Sequence, residues 1–178
     1  MGYDRIMKSP QVPAELIVRL VALHAEIDAA TERLTQVHGS RLRCGYGCHA
    51  CCSDDLSVFE VEAARIAEEY RNLLAHGTPA PRGRCAFLGE DGGCRIYSAR
   101  PYVCRTQGLP LRWFHEIDAH DVVEHRDICV LNEAGPPIVD LPADACWLLG
   151  PFEGRIAQLQ EHAGRGGARV ALRALFGE

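Results

Sequence analysis

Apolar residues recur at spacings of three and four between Pro13 and His38, which is typical of an amphipathic helix with one buried face. The apolar stripe consists of Leu16, Leu20, Leu23, Ile27, Ala30, Leu34 and Val37. Gly39 and Ser40 interrupt the pattern. We therefore predict a helix over residues 13–38 that packs one face against a core.

A second helical pattern begins at Ser57–Glu60, whose sequence SVFE has the spacing of a capping box. In such a box the serine hydroxyl and the glutamate carboxylate bind backbone amides that the first turn of a helix leaves unpaired. The pattern predicts a helix that runs to about His76. Its predicted buried stripe is Phe59, Ala63, Ile66, Tyr70 and Leu73.

The C-terminal part predicts one more helix. Pro151 suits the first position of a helix because the missing amide hydrogen of proline is not needed there. The apolar residues Phe152, Ile156 and Leu159 then predict a buried face that extends to about His162. A short amphipathic tail follows through Val170, Leu172 and Leu175.

Glycine, proline and cysteine dominate the middle of the chain. Residues 77–83 have the composition of a linker loop, and residues 84–105 are rich in turns. A weak alternation over residues 109–131 indicates a hairpin that turns at Ala119–Asp121. The predicted fold class is therefore mainly α: a small helical domain with irregular cysteine-rich loops and one short hairpin, organised around a metal site.

The length of 178 residues suits a single domain over residues 1–178. Within it we predict a cysteine-cluster metal-binding core at residues 43–132, an N-terminal helix at 13–38 and a C-terminal helical segment at 151–176. The formal net charge of −5 gives no electrostatic reason to expect nucleic acid or an anionic membrane as partner. The N-terminus lacks the apolar segment of a secretory signal, and no apolar stretch reaches the roughly 20 residues of a membrane helix.

These features predict a cytoplasmic protein. In that reducing compartment, clustered cysteines are more often metal sites or catalytic residues than disulfides. The sequence RCGYGCHACC at residues 43–52 places four cysteines within nine residues, and four more follow further along the chain. The predicted metal ligands are Cys44, Cys48, Cys51, Cys52, Cys85, Cys94, Cys104 and Cys129. Cys146 lies in an apolar context and is predicted to stand outside the cluster.

Thiolates are soft ligands that select zinc, Cu(I) or iron–sulfur clusters. The C-x3-C-x2-C-C spacing allows sulfurs to turn back onto one centre, as in zinc knuckles and iron–sulfur loops. The side chains of the adjacent Cys51 and Cys52 are expected to point apart, which suits two metals, a polynuclear site, or one ligand beside a thiol that stays free. Zinc remains open, because two Cys₄ zinc sites would use all eight thiolates.

Two arginines are candidates for cofactor binding because each directly follows a predicted ligand. Arg95 follows Cys94, and Arg105 follows Cys104. Four thiolates around zinc or a [4Fe–4S] core leave a net charge of about −2, which guanidinium groups can offset through charge-assisted hydrogen bonds.

The histidines indicate a metal site less strongly than the cysteines do. His49 lies inside the cysteine loop, where we expect it to face solvent rather than to bind metal. His115, His120 and His125 stand near several aspartates, Asp118, Asp121 and Asp127. Their spacing of five fits neither one helix face nor one strand face, so a polar surface hairpin is the favoured interpretation.

Three segments of the chain together resemble a bacterial cysteine-cluster family, the YkgJ-like or CxxCxxCC domain, which is described as zinc- or iron-chelating. The segments are CGYGCHACC, CAFLGEDGGCRIYSARPYVCR and DICVLN, and the resemblance covers about residues 43–132. It implies that the eight cysteines above are the ligands of the domain. The first pair here is separated by three residues instead of two, so this chain departs from the pattern in the family's name.

The favoured function is a cysteine-rich metal-binding protein that holds an iron–sulfur cluster, most simply [4Fe–4S]. Zinc in a structural or interaction domain without catalysis is the alternative, and metal storage or sensing is a third. An enzyme that uses spare thiols for redox or group transfer on a protein or small-molecule partner also remains open. No catalytic residue is identified, and the sequence does not fix the oligomeric state.

Overall fold

The structure is a computed structural model that describes residues 12–118 and 121–177. Its longest helix in these residues, α1, spans Ala14–Val37. Leu16, Leu20, Leu23 and Ile27 are buried, which confirms the first half of the predicted stripe. Val37 is 66% exposed, so the predicted stripe is wrong at its C-terminal end. His38 is buried in its place, and its Nε2 lies 2.6 Å from the carbonyl oxygen of Ala145.

Further helices and strands follow α1 in chain order. The helices are α2 (Glu60–Glu69), α3 (Arg71–His76), α4 (Tyr102–Arg105) and α5 (Pro151–His162), and the strands are β1 (Ser57–Phe59), β2 (Leu111–Asp118), β3 (Asp121–Asp127), β4 (Trp147–Leu148) and β5 (Arg169–Ala171). The chain divides into two compact units. The described part of the first unit is residues 12–23, 46–101 and 156–177, and that of the second is residues 24–45, 102–118 and 121–155.

The first unit is built on a core that collects residues from distant parts of the sequence. Antiparallel pairing of β1 with β5 brings Val58 opposite Val170. The core cluster also contains Ile66 from α2, and Phe87 and Ile96 from the segment between Cys85 and Ala99. These side chains pack together because burial removes their apolar surface from water.

The second unit contains a three-stranded sheet in the order β3-β2-β4. β2 and β3 form the antiparallel hairpin that the sequence predicted, and β4 adds a short parallel strand beside β2. The predicted turn at Ala119 and His120 lies outside the described residues. Trp147 of β4 is buried, and its indole nitrogen donates to the hydroxyl oxygen of Tyr102 at 2.9 Å.

The prediction of a mainly α fold is wrong. Of the described residues, 45% are helical and 15% lie in strands of two small sheets, so the fold is mixed α and β. β1, β4 and β5 have only two or three residues each. Such strands form by pairing with segments far away in the sequence, so they leave no alternating pattern of their own.

The predicted capping box is also misplaced. Ser57 lies in β1, and α2 begins at Glu60 after Phe59 in the capping position. The carboxylate that accepts the Phe59 amide hydrogen belongs to Glu62, with the nitrogen and oxygen 3.3 Å apart. The helix predicted to reach His76 is broken at Tyr70, which separates α2 from α3. The sequence matched a helix-start motif, but pairing of β1 with β5 takes precedence over it.

Parts of the second predicted stripe and the predicted C-terminal helix are confirmed. Ala63 and Ile66 of the second predicted stripe lie in the core, and Tyr70 and Leu73 pack against it. The helix predicted from Pro151 to about His162 is confirmed as α5. In the described residues, no helix is both long and apolar enough to cross a membrane. The cytoplasmic location and the domain boundaries stay predictions.

The core generates a stability prediction. Phe87 is fully buried with its ring centroid 5.0 Å from that of Phe176, so Phe87→Ala should lower the free energy of unfolding by about 3–5 kcal/mol. Phe114 is 52% exposed, so Phe114→Ala is the matched control and should change that free energy little. Urea unfolding followed by far-UV circular dichroism measures both. Equal losses for the two variants would contradict the assignment of Phe87 to the core.

Candidate metal centre

Five of the eight predicted metal ligands lie in the first unit: Cys48, Cys51, Cys52, Cys85 and Cys94. All nine cysteines lie within the described residues, and none of them forms a disulfide there. The first three belong to the cysteine loop, residues 44–52, which lies between α1 and β1. The other two belong to the turn-rich segment that follows α3.

Cys52 and Cys85 are joined through their backbones. The Cys85 amide donates to the Cys52 carbonyl oxygen at 2.9 Å. Cys85 is buried in the core cluster, and Cys52 and Cys94 are half-buried against that same cluster. The structure therefore packs three predicted ligands, which are 9 to 42 residues apart along the chain, against one core cluster.

A narrow hairpin-like turn brings Cys94 back towards Cys85. Cys94 forms a bridge with Leu88, and the Arg95 amide donates to the Phe87 carbonyl oxygen at 2.9 Å. Gly92 has a φ of +78°, a conformation that side chains disfavour. A Cβ atom at Gly92 would also lie 3.2 Å from the Cα of Gly47. Glycine is required here because the turn approaches the cysteine loop closely.

A tyrosine and an aspartate join the cysteine loop to this turn. The Tyr46 hydroxyl donates to the Asp91 carboxylate, and that bond raises the pKa of Tyr46 and lowers the pKa of Asp91. The Gly93 amide donates to the same carboxylate at 2.9 Å. Tyr46 and Asp91 were not selected from the sequence, because neither residue type identifies such a contact before the two loops are placed.

The adjacent cysteines do not point apart as expected. A hydrogen bond from the Cys52 thiol is the largest cause that lowers the pKa of Cys51 to about 6, and the charge of Arg100 contributes in the same direction. The Cys52 amide bonds to the His49 carbonyl oxygen at 2.9 Å. This tight turn replaces the extended backbone on which neighbouring side chains alternate.

The thiols at the core have the opposite tendency. Burial raises the pKa of Cys85, and the nearby Cys94 adds to that shift. Burial likewise raises the pKa of Cys94. The chain therefore combines a thiol that ionises easily at Cys51 with thiols at the core that favour their neutral form. A metal held by the core thiols must displace their protons, so its binding depends on pH.

The second unit contains the remaining predicted ligands, Cys44, Cys104 and Cys129. Cys104 lies in α4, and Cys129 directly precedes the short helical turn Val130–Asn132. Cys146 is also in this unit, where it is buried and burial raises its pKa. Its predicted place outside the cluster stays a prediction.

Asn132 connects two of these cysteine segments and was missed as a site residue. Its side chain is fully buried, and its amide nitrogen donates to the Cys44 sulfur at 3.3 Å and to the Gly108 carbonyl oxygen at 2.7 Å. Its side-chain oxygen accepts the Arg43 amide hydrogen at 2.7 Å. Its own backbone amide bonds to the Cys129 carbonyl oxygen at 2.7 Å. The only sequence signal was its position at the end of DICVLN.

The two predicted cofactor-binding arginines lie in different surroundings. Arg105 is buried and forms an ion pair with Asp28 at 2.5 Å, so its charge is partly neutralised by a carboxylate. Arg95 donates from Nη2 to the Ala86 carbonyl oxygen at 2.6 Å. The buried Nε of Arg95 has no hydrogen-bond partner within residues 12–118 and 121–177. His49 is exposed, as expected, and its Nδ1 lies 2.9 Å from the Gly47 carbonyl oxygen.

The thiol chemistry and the unpartnered Arg95 Nε fit a soft, negatively charged metal–thiolate centre. Within the part of the chain that the structure describes, however, no three His, Cys, Asp or Glu side chains already form a set that could hold a metal ion. The predicted set of eight ligands therefore stays a prediction.

Comparison with known proteins finds a matching family. Residues 43–130 match the model of the CxxCxxCC family, whose description reads "Putative zinc- or iron-chelating domain". This match supports the resemblance drawn from the cysteine motifs, whereas the YkgJ-like subfamily stays a prediction. No curated protein and no solved structure matches the chain.

The hydrogen bonds of Asn132 generate a second prediction. Asn132→Ala should lower the free energy of unfolding by about 1–3 kcal/mol, because it leaves the buried carbonyl oxygen of Gly108 without its partner and removes the part-buried bond from the Arg43 amide. Asn72→Ala, at an exposed position, is the matched control and should have little effect. Thermal unfolding of both variants provides the test. An Asn132→Ala variant as stable as Asn72→Ala would show that these bonds do not hold the Cys44 segment.

Proposed function

Because residues 43–130 belong to the CxxCxxCC family, we propose that this chain is a metal-chelating protein whose first-unit cysteines hold an iron–sulfur cluster. The family description supports a zinc- or iron-chelating function, and the choice of an iron–sulfur cluster is our proposal. The observation that carries it is the convergence of Cys52, Cys85 and Cys94 on one core cluster.

The first argument concerns the number and type of donors. The first unit contains five thiols and holds three of them against one apolar core, which suits a cluster with four thiolate ligands. Cys51 and Cys52 are hydrogen-bonded neighbours, so both sulfurs face the same region. We propose that the ligands come from Cys48, Cys51, Cys52, Cys85 and Cys94.

The second argument concerns charge. A [4Fe–4S] core with four thiolates carries a net charge of about −2, which must be offset if the cluster lies against an apolar core. Arg95 directly follows Cys94 and has a buried N–H group without a partner among the described residues. Arg100 acts electrostatically on both Cys51 and Cys94. We propose that Arg95 donates a hydrogen bond to the centre and that Arg100 contributes positive charge.

The third argument concerns the surroundings of the ligands. When bound, an iron–sulfur cluster would supply electron transfer or a Lewis-acidic iron. Hydrogen bonds and burial tune such centres. Here Phe87 and Ile96 exclude water from the Cys85 side, whereas Cys51 remains exposed. The proposed centre is therefore shielded from water on the side of Cys85 and accessible to solvent on the side of Cys51.

The metal itself is tested by anaerobic purification from iron-replete cells. We expect brown protein that contains iron and acid-labile sulfide in near-equal amounts and bleaches in air. The physical reason is that accessible clusters are oxidised easily, so aerobic protein can exchange them for zinc or disulfides. Colourless anaerobic protein with stoichiometric zinc and no sulfide would replace the iron–sulfur proposal with a zinc site.

The ligand assignment is tested with two buried cysteines of similar exposure. Cys85 is 8% exposed and Cys146 is 5% exposed, so Cys→Ser at either position makes the same chemical change in a buried place. Cys85→Ser should lose most of the bound iron, and Cys146→Ser should retain it. Iron and sulfide analysis of folded protein, verified by circular dichroism, measures both. Loss of iron in Cys146→Ser with retention in Cys85→Ser would reverse the assignment.

A further inference from the structure

The hairpin β2–β3 in the second unit has an arrangement that its sequence spacing did not indicate. In an antiparallel pair, residues directly opposite each other present their side chains on the same face. Trp113 is opposite His125, and His115 is opposite Val123. His115 is two residues beyond Trp113 on the same strand, so Trp113, His115 and His125 share one face of the hairpin.

The two histidine rings are neighbours on that face. The ring centroids of His115 and His125 are 6.1 Å apart and meet edge to face. They occupy diagonal cross-strand positions, which long and aromatic side chains can bridge. Both histidines are exposed, so an ion from solvent can reach them. Pairing of the two strands therefore places His115 and His125 on one face of the hairpin, although their spacing along the sequence did not indicate a shared face.

Trp113 holds one of the two rings in place. Its ring stacks on that of His125 with centroids 5.4 Å apart and planes inclined by 17°. Stacking of this kind restricts the rotation of the imidazole and reduces the entropy that binding would otherwise cost. Trp113 is half-buried, which makes it the fixed member of the three.

We propose that His115 and His125 form a binding site for a divalent transition-metal ion that prefers nitrogen ligands, such as Ni²⁺, Cu²⁺ or Zn²⁺. Neutral imidazole is a ligand for all three ions. Trp113 acts as a positioning residue and does not touch the ion. The described side chains supply no third His, Cys, Asp or Glu ligand here, so water or another small ligand fills the remaining coordination positions. The site is chemically distinct from the thiolate centre, because it uses two nitrogen donors and no sulfur.

The test uses Ni²⁺ alone as the probe on the 178-residue chain. Bound Ni²⁺ quenches nearby indole fluorescence, so a titration should quench Trp113, and equilibrium dialysis should count the ions bound. Trp113→Phe identifies the quenched fluorophore, because the chain has only one other tryptophan, Trp147. The Cys85→Ser variant should show the same quenching, which separates this site from the thiolate centre whether or not the latter holds iron.

His115→Gln and His125→Gln should each weaken Ni²⁺ binding by at least the roughly 10–100-fold that loss of an outer-shell partner costs a metal site. Glu116→Gln is the matched control: Glu116 is exposed on the opposite face of the hairpin and pairs with Val122. It should bind Ni²⁺ as the unaltered protein does. Far-UV circular dichroism checks the hairpin, and if one histidine variant fails to fold, the other decides alone.

Two results would overturn the site. Unchanged Ni²⁺ affinity in a folded His115→Gln or His125→Gln variant would place the binding elsewhere. Absence of quenching up to about 1 mM Ni²⁺ would show that the dissociation constant is not below that concentration and would overturn the site.

Discussion

The hydrogen bond from the Cys85 amide to the Cys52 carbonyl oxygen is the constraint on which the cysteine-rich part of the first unit depends. It fixes the end of the cysteine loop against the start of the second cysteine segment, 33 residues further along. Cys85 and Phe87 both lie in the core, and the narrow turn beyond Phe87 returns the chain at Cys94. Backbone pairing and apolar burial thus place Cys52, Cys85 and Cys94 against one core.

Arginine organises the loops around that contact. Arg173 is buried in the first unit, forms an ion pair with Asp54 at 2.5 Å and donates to the carbonyl oxygens of Ala80, Pro81 and Arg84. Arg41 has the same role in the second unit, where it donates to the carbonyl oxygens of Glu133, Ala134 and Pro136. Loops without regular structure leave many carbonyl groups unpaired, and the planar fork of arginine satisfies several at once. The high arginine content of the chain therefore has structural uses that are separate from cofactor binding.

The parts of the fold that could be predicted are those that local sequence encodes. The stripe from Leu16 to Ile27 specifies α1, and the alternation around residues 111–127 specifies the β2–β3 hairpin. The parts that could not be predicted depend on pairing between distant segments. Ser57 has the chemistry of a helix cap, but its pairing partner, Ala171, is 114 residues away and makes it part of a strand. In the site, cysteine chemistry was visible in the sequence, whereas the bonds of Tyr46 and Asn132 became visible only after the loops were placed.

The protonation of the core thiols explains how the first unit accommodates cysteines in an apolar environment. A thiolate buried without a compensating charge is costly, and burial accordingly raises the pKa values of Cys85 and Cys94 so that both favour the neutral thiol. In that form a cysteine packs as a small hydrophobic residue beside Phe87 and Ile96. Cys51 is exposed and loses its proton more easily because Cys52 donates a hydrogen bond to it. The same packing that stabilises the fold therefore sets the protonation of the buried donors, and any ligand that binds them as thiolates must supply positive charge at the edge of the core.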